Sequence, residues 1–239
     1  ETRPCRIKGV KLMKTLVIVA HPQLANSSTE SFLKAAADDE NNVMWHELKT
    51  PFDISQEQEL LKSATRIIFQ FPLYWYSAPA ILKQWLDEVW NSQLTSSHLL
   101  KGRELGIVTT VAHSASAFQP GASQGYTIAE LLRPYQALAH AMGMKYLPPL
   151  PIYQFAQQSE EERQSLFIHY QQYLTLDKFL HFSNQTQWFI DHLNVKIAQE
   201  LDPLQQAKLE QLLALLQDQQ EELDDLHTSI GWLREKEDD

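Results

Sequence analysis

The chain has one cysteine, Cys5, in 239 residues, so no disulfide can form within it. That suits a reducing compartment, and a cytoplasmic protein is expected. No apolar run approaches the ~20 residues of a membrane helix, and nothing reads as a secretory signal. Positive charge is scarce. Lys and Arg number 20 against 30 Asp and Glu, and the net charge of −10 argues against general nucleic-acid binding. A glycine-rich dinucleotide fingerprint and a P-loop lysine are both missing. No metal site is expected. The length allows one full core and an appendage. Residues 200–239 carry twelve acidic and three basic side chains, so nearly all the negative charge sits at one end. Residues 1–12 run the other way, with Arg3, Arg6, Lys8 and Lys11, and show no periodicity. They read as a leader outside the fold, which is expected to start at Met13.

From there, strand and helix signals alternate. Residues 15–20 form a continuous apolar, β-branched run, the mark of a strand buried on both faces. His21-Pro22 stops it, and the cluster Asn26, Ser27, Ser28, Thr29 precedes a helix over 30–37. A weaker strand over 43–48 follows, then a helix over 55–64 that opens with Ser55 and Gln58 as a capping box. A third strand covers 66–71, an amphipathic helix 80–90, and a fourth strand 104–110. A long loop, 111–126, leads to a helix over 127–142 that Pro134 kinks or splits and Gly143 caps. The last strand is expected in two pieces, 144–147 and 152–155, around a proline-rich break. Another helix opens at Ser159. This alternation implies an α/β fold: a flavodoxin-like five-stranded parallel sheet, order 2-1-3-4-5, with helices on both faces and a C-terminal helical extension. Such sheets bind ligands outside the carboxyl ends of their strands, beside strand 1. The loops after strands 1, 3 and 4 would meet there.

Each of those loops has a residue pattern that suits a ligand. Ser27, Ser28 and Thr29 stand at a helix start, where N–H groups and the helix dipole favour an anion, with His21 alongside. Plain N-capping is the other reading. After strand 3 comes Pro72-Leu73-Tyr74-Trp75-Tyr76-Ser77-Ala78-Pro79, three aromatics between prolines. The prolines fix φ and remove N–H donors, so the segment is a stiff loop rather than strand or helix. It suits a flat aromatic ligand, or else plugs against a neighbouring helix. The loop after strand 4 offers Thr109, Thr110, His113, Ser123 and Tyr126. A single-phosphate pocket beside a flat apolar slot describes flavin mononucleotide.

Val19-Ala20-His21-Pro22 and the run Phe71-Pro72-Leu73-Tyr74-Trp75-Tyr76-Ser77-Ala78-Pro79-Ala80-Ile81-Leu82-Lys83-Gln84-Trp85-Leu86-Asp87 resemble the flavodoxin-like NAD(P)H:quinone oxidoreductases. That group includes general-stress NAD(P)H oxidoreductases and ancillary subunits of potassium efflux. Pro134-Tyr135-Gln136, Gly143 and Leu147-Pro148-Pro149 agree with it, and the likeness covers 13–193. The resemblance implies a homodimeric enzyme that holds FMN or FAD, takes a hydride from NAD(P)H, and reduces a quinone or similar aromatic acceptor by a ping-pong mechanism. It implies that Pro72, Leu73, Tyr74, Trp75 and Tyr76 lie along the flavin ring, His21 and Ser27 at the phosphate. Thr109-Thr110-Val111-Ala112 stands where the group has Thr-Thr-Gly-Gly, and Ser123 stands in the place of a histidine. Tyr126 or His113 would then take that role. A flavin-binding regulatory subunit of a redox-gated partner, a potassium efflux system for example, is the alternative, and a flavin-free interaction module a third reading.

Residues 194–239 form the expected acidic helical extension. Asp202-Pro203 is an N-cap followed by proline at the first helical position. Leu209, Leu212, Leu216, Gln219, Leu223, Leu226, Ile230 and Leu233 recur at 3-4 spacing, while Leu213 and Leu215 widen the apolar face. A coiled coil with another subunit or a protein partner, and a helix lying on its own domain, are both open.

Overall fold

The computed structural model describes residues 14–176 and 182–237. They divide into two compact units, one ending at Thr175 and one beginning at Leu176. The sequence expects the helical extension to begin at 194.

In the first unit, strand β1 (Thr15–Val19) is buried along its whole length, as its unbroken apolar run demands. Helix α1 (Ser28–Asp38) returns to β2 (Val43–Glu47), and α2 (Ile54–Ser63) leads to β3 (Arg66–Pro72). Helices α3 (Ala80–Val89) and α4 (Ser92–Ser96) lead to β4 (Glu104–Val111). Helices α5 (Ile128–Leu131) and α6 (Arg133–Ala141) precede β5 (Lys145–Tyr146), β6 (Leu150–Tyr153) and α7 (Glu160–Thr175). All strand pairs are parallel, in the order β2-β1-β3-β4-β5, the flavodoxin-like order. The fifth position is shared. β5 pairs with the start of β4 and β6 with its end, from Val108↔Leu150 to Val111↔Tyr153. Pro148 and Pro149 fall in the gap.

One local detail differs from expectation, and a second settles which of two expected forms a helix takes. Asp53, not Ser55, caps α2, its carboxylate accepting the Ser55 and Gln56 N–H groups at 3.0 and 3.1 Å. A carboxylate in the extended conformation two residues earlier reaches both N–H groups, and a hydroxyl already in the helix cannot. The helix expected over 127–142 is split at Leu132, which places Pro134 in the first turn of α6, where no N–H is needed. Beyond α6, Gly143 takes φ +65° and the Met144 N–H reaches back to Ala139 O at 2.8 Å, a Schellman stop.

The core carries the site's foundations. Under the aromatic loop, Phe69 meets Trp85 and Tyr135 with ring centroids 6.0 Å apart, and Phe71 meets Tyr135 at 5.5 Å. Near the other end of β4, Tyr173 of α7 passes its hydroxyl between two segments. It accepts the Ile107 N–H at 3.1 Å and donates to Pro148 O at 2.9 Å. Gly106 has to be glycine there, since a Cβ would lie 2.6 Å from both Tyr173 Oη and Ile68 Cδ1.

In the second unit, α8 (Phe182–Gln199) packs against α9 (Pro203–Glu237). Asp202 caps α9, accepting the Leu204 N–H at 3.0 Å, with Pro203 at the first helical position. Half-buried positions recur at Gln206, Leu209, Leu213, Leu216 and Gln220. Leu212, Leu215 and Leu226 are exposed, and the side chains of Leu223, Ile230 and Leu233 lie outside the described residues. Leu209 and Leu216 of the expected stripe are thus half-buried, while Leu213 and Gln220 take the places expected of Leu212 and Gln219. Among the described residues no helix is long and apolar enough to cross a membrane.

Candidate functional site

Parallel registry sets the ends of β1, β3 and β4 level: Val19 pairs with Gln70, Phe71 with Thr109, Pro72 with Thr110. The loops that follow these strands therefore converge on one edge.

After β1, a short 3-10 turn over Leu24–Asn26 brings the chain to Ser27. Ser27 is the N-cap of α1, its hydroxyl accepting the Glu30 N–H at 3.2 Å. The Ser28 and Thr29 N–H groups, in the first turn, have no acceptor within the helix and are presented at its end. His21 Nδ1 accepts the Gln23 N–H at 3.0 Å, which leaves the ring proton on Nε2, free to be donated outward. Burial lowers the His21 pKa, which favours the neutral imidazole. Neutral donors converging on a helix N-terminus suit a phosphate ester.

After β3, the Leu73 N–H donates to Thr110 O at 2.9 Å and holds the third and fourth loops together. Tyr74 and Ser77 then exchange backbone hydrogen bonds at 2.9 and 3.0 Å around a two-residue turn. Its central residues, Trp75 and Tyr76, have φ of 48° and 63°. This is the left-handed conformation of a type I′ turn, normally given to Asn and Gly. Holding two aromatic residues there costs on the order of 1–3 kcal/mol each, and such strain clusters at functional sites. The turn lifts Trp75 to 94% exposure, with Tyr74 and Tyr76 half exposed. The Tyr76 hydroxyl donates to Gln124 Oε1 at 3.2 Å, tying the turn to the long loop after β4. The aromatics are thus not a plug in the core; they are a raised wall.

Two cavities flank this wall. One, of about 380 Å³, is lined by His21, Ser27 and Thr29 from the first loop, Pro72, Leu73 and Tyr74 from the third, and Thr110, Val111 and Ala112 from the fourth. The other, of about 190 Å³, lies between Leu73, Trp75 and Tyr76 and the residues Val111, Ala112, His113, Phe118 and Gln124. Phosphate-type donors and a flat apolar wall therefore meet in one cleft, a donor set that fits a flavin mononucleotide. Of the other expected residues, Ser28 is exposed at the helix start, and Thr109 is fully buried behind the cleft, its hydroxyl without a partner among the described residues. His113 lines the smaller cavity, whereas Ser123 and Tyr126 are exposed and line neither. Val111 is buried and Ala112 exposed, and both line the two cavities.

Sequence reasoning missed one wall. Ile152, Gln154, Phe155, Ala156 and Gln157 close the 380 Å³ cavity from the end of β6. Gln154 turns the chain there in the left-handed region, at φ 46°. The strand-end rule that singled out the other loops applies equally to this one. A third and larger cavity, about 870 Å³, lies on the far side of His21, towards β2. Size alone would favour it, but it contains none of the aromatic wall beyond Pro79, and the donors of Ser27 and Thr29 face the smaller cleft.

Comparison with known proteins agrees with this geometry. Residues 13–174 match a family described as having the flavodoxin-like fold. The uncharacterized NAD(P)H oxidoreductase YdeQ of Bacillus subtilis is 39% identical over 158 residues, 63% of this chain and 80% of that one. The crystal structure of an NADPH-quinone reductase from P. pentosaceus is similar at 48% identity and a TM-score of 0.67, covering 68% of this chain and 98% of that one. General stress protein 14 of Treponema denticola, solved in complex with FMN, is 29% identical with a TM-score of 0.62, over 67% of this chain and 97% of that one. With its sheet order, its strand-end cleft and two thirds of its length in agreement, this chain belongs to the flavodoxin-like family that includes these NAD(P)H oxidoreductases.

Proposed function

We propose that this chain is an FMN-dependent NAD(P)H oxidoreductase that reduces a quinone or a similarly flat aromatic acceptor. The observation that carries this reading is the raised Tyr74–Ser77 turn, standing over a cleft whose inner end is the N-terminus of α1. The names of its relatives, an NAD(P)H oxidoreductase and an NADPH-quinone reductase, support the activity, and the FMN complex of a third supports FMN over FAD.

The flavin, when bound, supplies two-electron chemistry between donor and acceptor. The protein's part is to bind, orient and exclude water. Ser27, with the first-turn N–H groups of Ser28 and Thr29, would hold the phosphate, and His21 would donate from Nε2. Pro72, Leu73 and Tyr74 would flank the ring, their loop anchored by Thr110. Trp75 and Tyr76 stack the incoming nicotinamide and then the acceptor in the same slot, which makes the mechanism ping-pong. His113, lining that slot, is the best placed of the three residues considered for balancing charge, and Ser123 and Tyr126 would reach it only by loop movement. The enzyme works as a homodimer in the cytoplasm, where a second copy helps to cover the exposed wall.

Steady-state oxidation of NADPH by the FMN-loaded protein, with a series of quinones, tests the reading. Parallel double-reciprocal lines are expected. Intersecting lines would mean both substrates bind together, and no oxidation would refute the activity.

A further inference from the structure

Helix α9 carries leucine on two sides. Leu209, Leu213 and Leu216 form one side, half-buried in the unit where α9 packs against α8. The other side is open. Lys208, Leu212, Leu215, Gln219, Glu222 and Leu226 follow one another at 4-3-4-3-4 spacing, and every one of them is exposed. That spacing is the heptad seam of a helix that pairs with another helix. Leu201 and Leu204, both exposed, extend the apolar surface at its N-terminal end. Leucines scattered singly over a surface need no explanation, but leucines held in heptad register on an otherwise polar helix do. Charge is divided unevenly along the same helix. Over 203–217 the charged residues are Lys208 and Glu210, which cancel, whereas 218–226 holds five acids and no base.

We propose that this open face of α9 pairs with the same face of a second copy of the chain, antiparallel, with Leu212 of each helix against Leu215 of the other. A two-fold interface must be complementary to itself when reversed, and this face is. In the antiparallel arrangement the acidic stretch of each helix lies over the neutral half of its partner. Lys208 then comes level with Gln219 of the other copy and about one turn from its Glu222, an attraction that the two-fold axis repeats. Leu226 comes level with Leu201, so apolar layers stand at the centre and at both ends. The polar seam residues between them, Lys208, Gln219 and Glu222, weaken the pair but fix its register and direction. A parallel pair would instead set Asp218, Glu221, Glu222 and Asp225 against their own copies. A basic partner helix would meet the acids well but would leave Lys208 facing charge of its own sign. The pairing does not rest on the flavin reading, because every residue lining the flavin cleft belongs to the first unit and α9 to the second.

The test is disulfide trapping in the full chain. Cys5→Ser first removes the one native thiol. On that background Lys208→Cys and Gln219→Cys, both at exposed positions, are made singly and together. Under oxidised glutathione at micromolar protein, the chain bearing both cysteines should form a covalent dimer on a non-reducing gel, and neither single variant should. Within one helix the two positions are roughly 16 Å apart, too far to close on themselves. Leu215→Glu, added to the double-cysteine chain, should abolish the covalent dimer, since it sets two carboxylates at the apolar centre of the pair. The same substitution should leave far-UV circular dichroism unchanged, because Leu215 faces away from the half-buried side of α9. No covalent dimer in the double-cysteine chain would overturn the proposal and point to a basic partner instead. Dimers from the single variants would show a parallel or random encounter, and a dimer that Leu215→Glu leaves intact would show that this face does not hold it; either result would overturn the proposal as well.

Discussion

Replacing Glu30 by Gln should change how the stability of this protein depends on pH. Burial raises the Glu30 carboxyl from its ordinary value of 4.5 to about 7, with the Gln70 hydrogen bond partly opposing the shift. The folded state therefore holds this proton more tightly than the unfolded chain. Below pH 4.5 both states are protonated and the acid's contribution is complete. Between pH 4.5 and 7 the unfolded state releases its proton first, so stability falls as pH rises, and it levels off above 7. At about 1.36 kcal/mol per unit, the full loss is about 3 kcal/mol. Other carboxylates act in the opposite sense. Glu130, for example, is held low by the Thr127 backbone N–H and loses its stabilising bonds as pH falls. Such groups are common to both proteins and cancel in the difference. The Glu30→Gln amide keeps the side chain's shape and does not titrate. Urea unfolding of the flavin-free protein from pH 5 to 8, followed by near-UV circular dichroism, is the assay. The variant should gain on the wild type by about 2.5 kcal/mol across that range, since part of the full loss falls below pH 5. An equal pH slope in both proteins would refute the reasoning.

Three further outcomes are expected. Trp75→Ala should leave unfolding midpoints within about 0.5 kcal/mol, since the side chain is 94% exposed, yet lower kcat/KM for quinone reduction; an unchanged rate would remove Trp75 from the substrate slot. Gly106→Ala should cost about 1–3 kcal/mol in thermal or urea unfolding, because its Cβ would come within 2.6 Å of Tyr173 Oη, and a neutral effect would show that α7 yields easily. Ending the chain after Leu201 should leave FMN affinity unchanged, because every residue lining the cleft belongs to the first unit, and a weakened affinity would show that the second unit contributes to it.

Much of the fold was legible because its strands are apolar, β-branched runs and its turns are marked by proline, glycine or asparagine. Strand β1 and the split fifth strand followed from residue type alone. The N-cap at Ser27 and the Asp202-Pro203 start of α9 followed from capping chemistry. Other features depend on tertiary context. Nothing in the residue types of Trp75 and Tyr76 announces a left-handed turn, because the strain is sustained by flanking hydrogen bonds and by the rigid strand beneath. Glu30, at the third position of a helix, reads as an exposed first-turn acid, and only the fold reveals that it is buried against Gln70 of β3. Ser55 looked like a cap because capping position is uncertain by one or two residues until Asp53 is seen in its extended conformation. The loop after β6 was overlooked although the rule that strand ends carry ligands covers it as well. In the aromatic loop the sequence left two readings, wall or plug, and exposure of Trp75 separates them.

Titration of flavin-free protein with FMN tests the central claim most directly, read by flavin fluorescence and by the absorbance retained after gel filtration. Saturation at about one flavin per chain is expected for the wild type, and Ser27→Asp should abolish it, because a carboxylate at the N-cap repels the phosphate while still capping α1. Wild-type protein that retains no FMN would contradict the claim outright, and full occupancy in Ser27→Asp would place the phosphate somewhere other than the start of α1.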